Sequence, residues 1–199
     1  STFKIITAAS GLEQKVIDGS YTITDNGIIK IGPYSFSNWY YTQYGRTEGP
    51  VNVVKSISRS NDIFFYKLAE MLTVKRLSET AAEFGVGQVL GIDLVGEETG
   101  ILPTEVWKEK NVGEKWYLGD TFIYGIGQGY LLTTPLQVDS WDETIANGGT
   151  LYRPHLLKKG KPESIRAKFL SETTIALIRE GMVKACSDGG TAYPLFHFT

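Results

Sequence analysis

The chain of 199 residues is 42% hydrophobic and 12% aromatic, enough apolar material for one globular core. Its 20 Lys and Arg face 22 Asp and Glu without a long block of one sign, which argues against a nucleic-acid reader or an acidic disordered tail. No window approaches the ~20 apolar residues that cross a bilayer and no signal-peptide pattern opens the chain, so it reads as a soluble piece.

A single cysteine, Cys186, excludes an intrachain disulfide. Beside it stand only His155 and His197, far apart, which argues against a zinc site. Both ends read as cut. Ser1 stands inside a helical pattern with no lead-in, and Phe196-His197-Phe198-Thr199 is an apolar, β-like run with no closing turn. The expectation is one partial domain over residues 1–199.

In chain order, Phe3, Ile5, Ile6, Ala8, Ala9 and Leu12 place apolar side chains almost all round a helix over 3–12, predicting that it is buried. Tyr21 to Ile31 alternates weakly about Asp25-Asn26-Gly27, a hairpin signal. An aromatic loop through Trp39, Tyr40, Tyr41 and Tyr44 leads to Gly49-Pro50. A helix from about Val51 to Ile57 precedes Ser58-Arg59-Ser60-Asn61-Asp62.

The next helix has Phe64, Phe65, Leu68, Ala69 and Leu72 on one side. Val74, Leu77, Ala81 and Phe84 keep helical spacing up to a glycine cap at Gly85. Residues 86–133 are Gly-rich and give no clear pattern. Thr134-Pro135 starts a helix that ends at Asn147-Gly148-Gly149, with Thr as N-cap and Pro in the first position. Tyr152 to Leu157 reads as a short strand. A last helix begins near Ser171, carries Ile175, Ile178, Met182 and Cys186 on one stripe, and ends at Gly189-Gly190. The pattern favours helices with only short strands.

Ser1 and Lys4, three residues apart, share a helix face one turn apart. Lys4 is the only charge in an otherwise apolar segment, and a buried ammonium must be paired or lose its proton. A lysine of lowered pKa beside a serine hydroxyl makes a base and a nucleophile, and the helix N-terminus favours the negative charge of acyl transfer. On spacing alone the pair equally fits a surface turn with Lys4 in solvent.

Ser60-Asn61-Asp62 likewise fits simple helix capping. It also fits a loop that aims the Ser60 hydroxyl and the Asp62 carboxylate at Lys4, and one turn can do both. The run Gly125-Ile126-Gly127-Gln128-Gly129 lacks nucleotide-binding spacing and points to tight backbone packing.

Taken together these segments resemble the transpeptidase domain of class B penicillin-binding proteins, of the elongation type. Ser1-Thr2-Phe3-Lys4 is similar to that family's serine-x-x-lysine motif. Ser60-Asn61-Asp62 is similar to its serine-x-asparagine motif, with Asp62 where Asn is commoner. The run from Gly125 to Gln137, Ala146-Asn147-Gly148-Gly149, Tyr152-Arg153-Pro154-His155-Leu156 and Gly189-Gly190-Thr191-Ala192 follow in the family's order.

The resemblance implies an α+β fold, predominantly helical: the helical subdomain and nucleophile helix, with most of the antiparallel sheet missing. It implies a serine acyltransferase that cross-links peptidoglycan stem peptides and is acylated by β-lactams. Ser1 is then the nucleophile and Lys4 the base; Ser60 relays a proton, Asp62 orients the ammonium, and Asn61 contacts substrate. No cofactor is implied. A glycosyltransferase partner and a parent protein anchored in the bacterial cytoplasmic membrane, acting on its outer face, are.

The family's lysine-threonine-glycine motif is not matched, so a weakly active or inactive excerpt is expected. A non-catalytic β-lactam-sensing or structural module of the same fold, a β-lactamase-type hydrolase and an N-terminal nucleophile hydrolase remain as alternatives.

Overall fold

Apolar side chains all round the first helix leave it no face for solvent, and the other elements are laid against it. The computed structural model describes residues 2–158 and 161–192. In it, α1 (Lys4–Glu13) is buried continuously from Lys4 to Gly11. Then come β1 (Ile23–Asp25), β2 (Ile28–Ile31), β3 (Tyr34–Ser37), the short α2 (Trp39–Tyr44), β4 (Gly49–Val51), α3 (Val53–Ser58) and the long α4 (Asp62–Glu83). After α5 (Glu105–Val112) and α6 (Leu118–Gly125) follow α7 (Pro135–Asn147), β5 (Leu151–Tyr152), β6 (Ser164–Arg166) and α8 (Glu172–Ala185).

Among the described residues the strands make three two-stranded antiparallel sheets, β1–β4, β2–β3 and β5–β6. The fold is therefore α+β and predominantly helical. The core that α1 shares with α4, α6, α7 and α8 includes Ile6, Phe64, Leu68, Phe122, Trp141 and Ile178, all nearly or fully buried.

Local chemistry accounts for the helix ends. Thr134 caps α7 through its hydroxyl, which accepts from Gln137 N at 3.1 Å, while Gln137 Oε1 accepts from Thr134 N at 3.0 Å. The Ser171 hydroxyl caps α8. α4 is two helical runs joined at Thr73, whose backbone (φ 65°, ψ 161°) is not helical. That break separates the Phe64–Leu72 stripe from the Val74–Phe84 one. Gly85 follows the helix at φ +82°, where a residue with a Cβ would be strained.

Several expectations are corrected. Asp25-Asn26-Gly27 does not join a hairpin: β1 pairs with β4, and the hairpin is β2–β3, turning through Gly32-Pro33. The Asp25 carboxylate is drawn inward to four N–H donors, and its bond to Gly27 N at 2.7 Å turns the chain away from its own preceding strand. The aromatic loop is instead β3 and α2.

The Gly-rich 86–133 region holds α5, capped by Thr104, and α6. The strand expected over 152–157 stops at Tyr152, because Asp93 captures the backbone N–H groups of Leu156 and Leu157. α8 ends at Ala185, before the two glycines. His197 and the Phe196–Thr199 run lie outside the described residues.

The glycine run does serve close packing. The Thr7 hydroxyl donates to Gly125 O at 2.8 Å, tying α1 to the end of α6. A Cβ on Gly125 would overlap the Cβ of Ala69 and lie 3.0 Å from the carbonyl oxygen of Phe65. Gly125→Ala should therefore destabilise the fold by about 1–3 kcal/mol, the usual cost of overpacking. Chemical denaturation reads this directly, and an unchanged midpoint would show that α4 and α6 can move apart at no cost.

Candidate active site

Lys4 opens α1 with its side chain pointing into the protein, and the residue is only 4% exposed. Its Nζ lies 2.7 Å from Ser60 O, 2.9 Å from Ser60 Oγ and 2.6 Å from Asp62 Oδ1. Three acceptors match the three protons of an ammonium. Of the three, only the Ser60 hydroxyl can turn round and donate, so it is the one contact that survives when the amine gives up a proton.

The turn between α3 and α4 makes this possible. Ser60 adopts φ +48°, a left-handed conformation that costs a non-glycine residue about 1 kcal/mol or more. Ser60 N donates to Ile57 O and Asn61 N to Ser56 O, which closes the turn. Both the carbonyl and the hydroxyl of Ser60 then face Lys4.

Asp62 is the first residue of α4, and its second oxygen accepts from Trp39 N at 3.0 Å. Its own N–H donates to Asn38 Oδ1 at 3.1 Å. Loss of hydration pushes the Lys4 pKa down; the Asp62 charge and hydrogen bond pull it back up, and the net direction is down. At any given pH the uncharged amine is therefore a larger share of Lys4 than of a free lysine.

The structure brings Lys4, Ser60 and Asp62 together. It does not bring Asn61 to them. The Asn61 side chain is fully buried: its oxygen accepts from Phe64 N at 2.9 Å, capping α4, and its Nδ2 donates to Asp25 Oδ2 at 2.8 Å. Both ends of the amide are spent on scaffold, so a substrate contact through this side chain is withdrawn. Ser1 lies outside the described residues.

Three features were missed from sequence. Asp25, 1% exposed, accepts from Gly27 N, Asn38 Nδ2, Glu48 N and Asn61 Nδ2, and so holds both chains that position Asp62. Arg59 pairs with Glu48 at 2.6 Å, lies over the rings of Trp39 and Tyr40, and donates to Gly189 O. Asp142 of α7 reaches the same cleft. The Asp-x-Gly signal at Asp25 was visible, but its use as an anchor was not.

The cleft has a volume of about 970 Å³. Lys4 and Ser60 stand at its wall with Trp39 and Tyr44 of α2, Met182 and Ala185 of α8, and residues 190–192. Thr191 N donates to Ser58 O at 3.1 Å and Ala192 N to Ala185 O at 2.8 Å, which fixes that last segment beside α3 and α8.

The family model "Penicillin binding protein transpeptidase domain" matches residues 1–196. Peptidoglycan D,D-transpeptidase MrdA of Escherichia coli (strain K12) is 34% identical over 98% of this chain and 32% of its own length. The penicillin-binding protein PBP2 of Helicobacter pylori superposes with a TM-score of 0.90 at 34% identity, covering all of this chain and 37% of that one. The same protein solved in complex with MreC gives 0.88, again at 34% identity and with the same coverage. The chain thus spans about a third of the length of these relatives.

Removing the counter-charge tests the electrostatics. Asp62→Asn keeps an acceptor for Trp39 N but leaves the Lys4 ammonium without an anion, and should cost about 3 kcal/mol at pH 7. The folded variant then holds a lysine whose pKa lies further below that of the unfolded chain, near 10.5. Between those two values the unfolded state binds more protons, so stability rises with pH and the deficit against wild type shrinks. Urea denaturation at pH 7 and pH 10 measures it; a deficit independent of pH would mean that Lys4 stays charged.

Proposed function

The chain belongs to the penicillin-binding protein transpeptidase family, and from that membership we propose that it carries the acyl-transfer centre of a peptidoglycan D,D-transpeptidase. The observation that carries this reading is the buried Lys4 amine held between the Ser60 hydroxyl and the Asp62 carboxylate, three residues along from Ser1.

In the first half-reaction the Ser1 hydroxyl attacks the carbonyl of the penultimate D-alanine of a stem peptide, and its proton passes to neutral Lys4. The bond to the terminal D-alanine breaks, and that amine leaves with a proton returned from Lys4 through the Ser60 hydroxyl. In the second, an amine from a neighbouring strand attacks the Ser1 ester and loses its proton to Lys4; the ester C–O bond breaks, and Lys4 returns the proton to the Ser1 oxygen as the cross-linked peptide leaves. The lowered Lys4 pKa supports both halves, since each begins with an uncharged amine. Asp62 stabilises the ammonium that forms in between. A β-lactam enters the first half-reaction and stops there as a stable ester.

The parent protein is proposed to work on the outer face of the cytoplasmic membrane, beside a glycosyltransferase that supplies the glycan strand. The complex of the Helicobacter pylori relative with MreC supports a place within a multi-protein assembly.

Intact-mass measurement of the full-length protein after exposure to benzylpenicillin tests this. Wild type should gain one adduct and Ser1→Ala none. Lys4→Ala should acylate about 10²- to 10⁴-fold more slowly, the usual contribution of a general base. An adduct that persists in Ser1→Ala would place the nucleophile elsewhere.

A further inference from the structure

A second charge in the cleft has no role in that chemistry. Asp142, from the cleft-facing side of α7, lines the same space as Lys4 and Ser60. Among the described residues its carboxylate makes no hydrogen bond or ion pair, whereas the other charged groups at the wall are committed. Lys4 is matched by Asp62 and Ser60, and Arg59 by Glu48 and Gly189 O. Among the described residues, Asp142 is the only uncommitted charge lining the cleft.

The fold has no need of it there. Asp142 is partly buried, and one turn away on α7 stands a second carboxylate, Asp139. Burial and the like charge both raise the pKa of Asp142, and each therefore works against its ionised form in the folded protein. A group that costs stability, sits in a reaction cleft and lacks a partner calls for a partner from outside. Charge complementarity says that partner is a cation, and the chemistry of the cleft supplies one.

We propose that Asp142 is a specificity-determining residue that binds the ammonium group of an amine-bearing stem peptide. This rests on the transpeptidase reading, and it assigns the residue that would distinguish a diamino-acid side chain from a neutral one at the same peptide position. Such an amine can belong to the donor or to the acceptor stem, so the test separates them.

The test uses full-length Ser1→Ala, which cannot be acylated, with and without Asp142→Asn. Binding is followed by ligand-observed NMR for Nα-acetyl-L-Lys-D-Ala-D-Ala, its Nα,Nε-diacetyl form, and Nα-acetyl-L-lysine amide. Asp142→Asn should weaken the free-amine tripeptide about fivefold, leave the diacetylated one as it was, and leave the melting temperature unchanged or raised.

Selective weakening of the tripeptide assigns Asp142 to the donor stem; selective weakening of the lysine amide assigns it to the acceptor. Equal weakening of all ligands, or of none, overturns the proposal, as does failure of every ligand to bind. A benzylpenicillin adduct on wild-type Ser1 in those cases would show that the transpeptidase reading stands without it.

Discussion

One buried ammonium sets the terms for the rest of this structure. The proposed acyl transfer needs the Lys4 amine out of water to act as a base, yet an unpaired ammonium in a core is among the costliest groups a protein can hold. The structure meets both demands with a carboxylate at 2.6 Å and two oxygens of one residue, Ser60. Burial lowers the proton affinity of the amine and Asp62 restores part of it, and the net direction is down. The left-handed backbone of Ser60 is the conformational cost of turning both of its oxygens toward the same nitrogen.

Fixing Asp62 in turn calls for a layer behind it. Its backbone N–H is held by Asn38 and its outer oxygen by Trp39 N, and these two residues open α2. Asn38 and Asn61 both donate to Asp25 Oδ2, so one buried carboxylate anchors the start of α2 and the cap of α4. Four N–H donors around Asp25 satisfy its buried carboxylate without a cation. The aromatic residues of α2 follow from the same placement: with Arg59 stacked on Trp39 and Tyr40, they form one wall of the cleft.

What could be read from sequence divides along physical lines. Elements announced by local rules were legible: the largely apolar α1, the Thr134-Pro135 start of α7, the start of α8 near Ser171 and the glycine run as a packing site. Each is fixed by residues within a turn or two of itself. The meeting of Lys4 with Ser60 and Asp62 was legible too, though only because ordered motifs joined segments 56 and 58 residues apart. What failed was non-local. Asp25-Asn26-Gly27 has the composition of a hairpin turn, but demand from Asn38, Glu48 and Asn61 took its carboxylate and re-paired β1 with β4. Asn61 looked like part of a substrate-binding motif, and the same network turned it inward. α5 was hidden because it buries only Lys108, whose Nζ pairs with Asp120 at 2.7 Å, and α6 because its buried Thr121, Phe122, Tyr124 and Gly125 sit in a helix of eight residues among glycines.

The proposed base and the core are therefore one structure. The proton affinity of Lys4 depends on how completely α1 is enclosed, and that enclosure depends on helices meeting at glycine, alanine and threonine contacts such as Gly125 against Ala69 and Thr7. Its counter-charge depends on a hydrogen-bonded hub at Asp25 that touches neither the cleft nor the amine. A substitution at any of these places would shift the proton affinity of Lys4 without removing a single atom from the cleft, because desolvation and the position of one carboxylate are the causes that set it. Chemistry placed at the first turn of a buried helix takes its tuning from the packing of that helix, and this explains why so polar a trio sits at the edge of the apolar core.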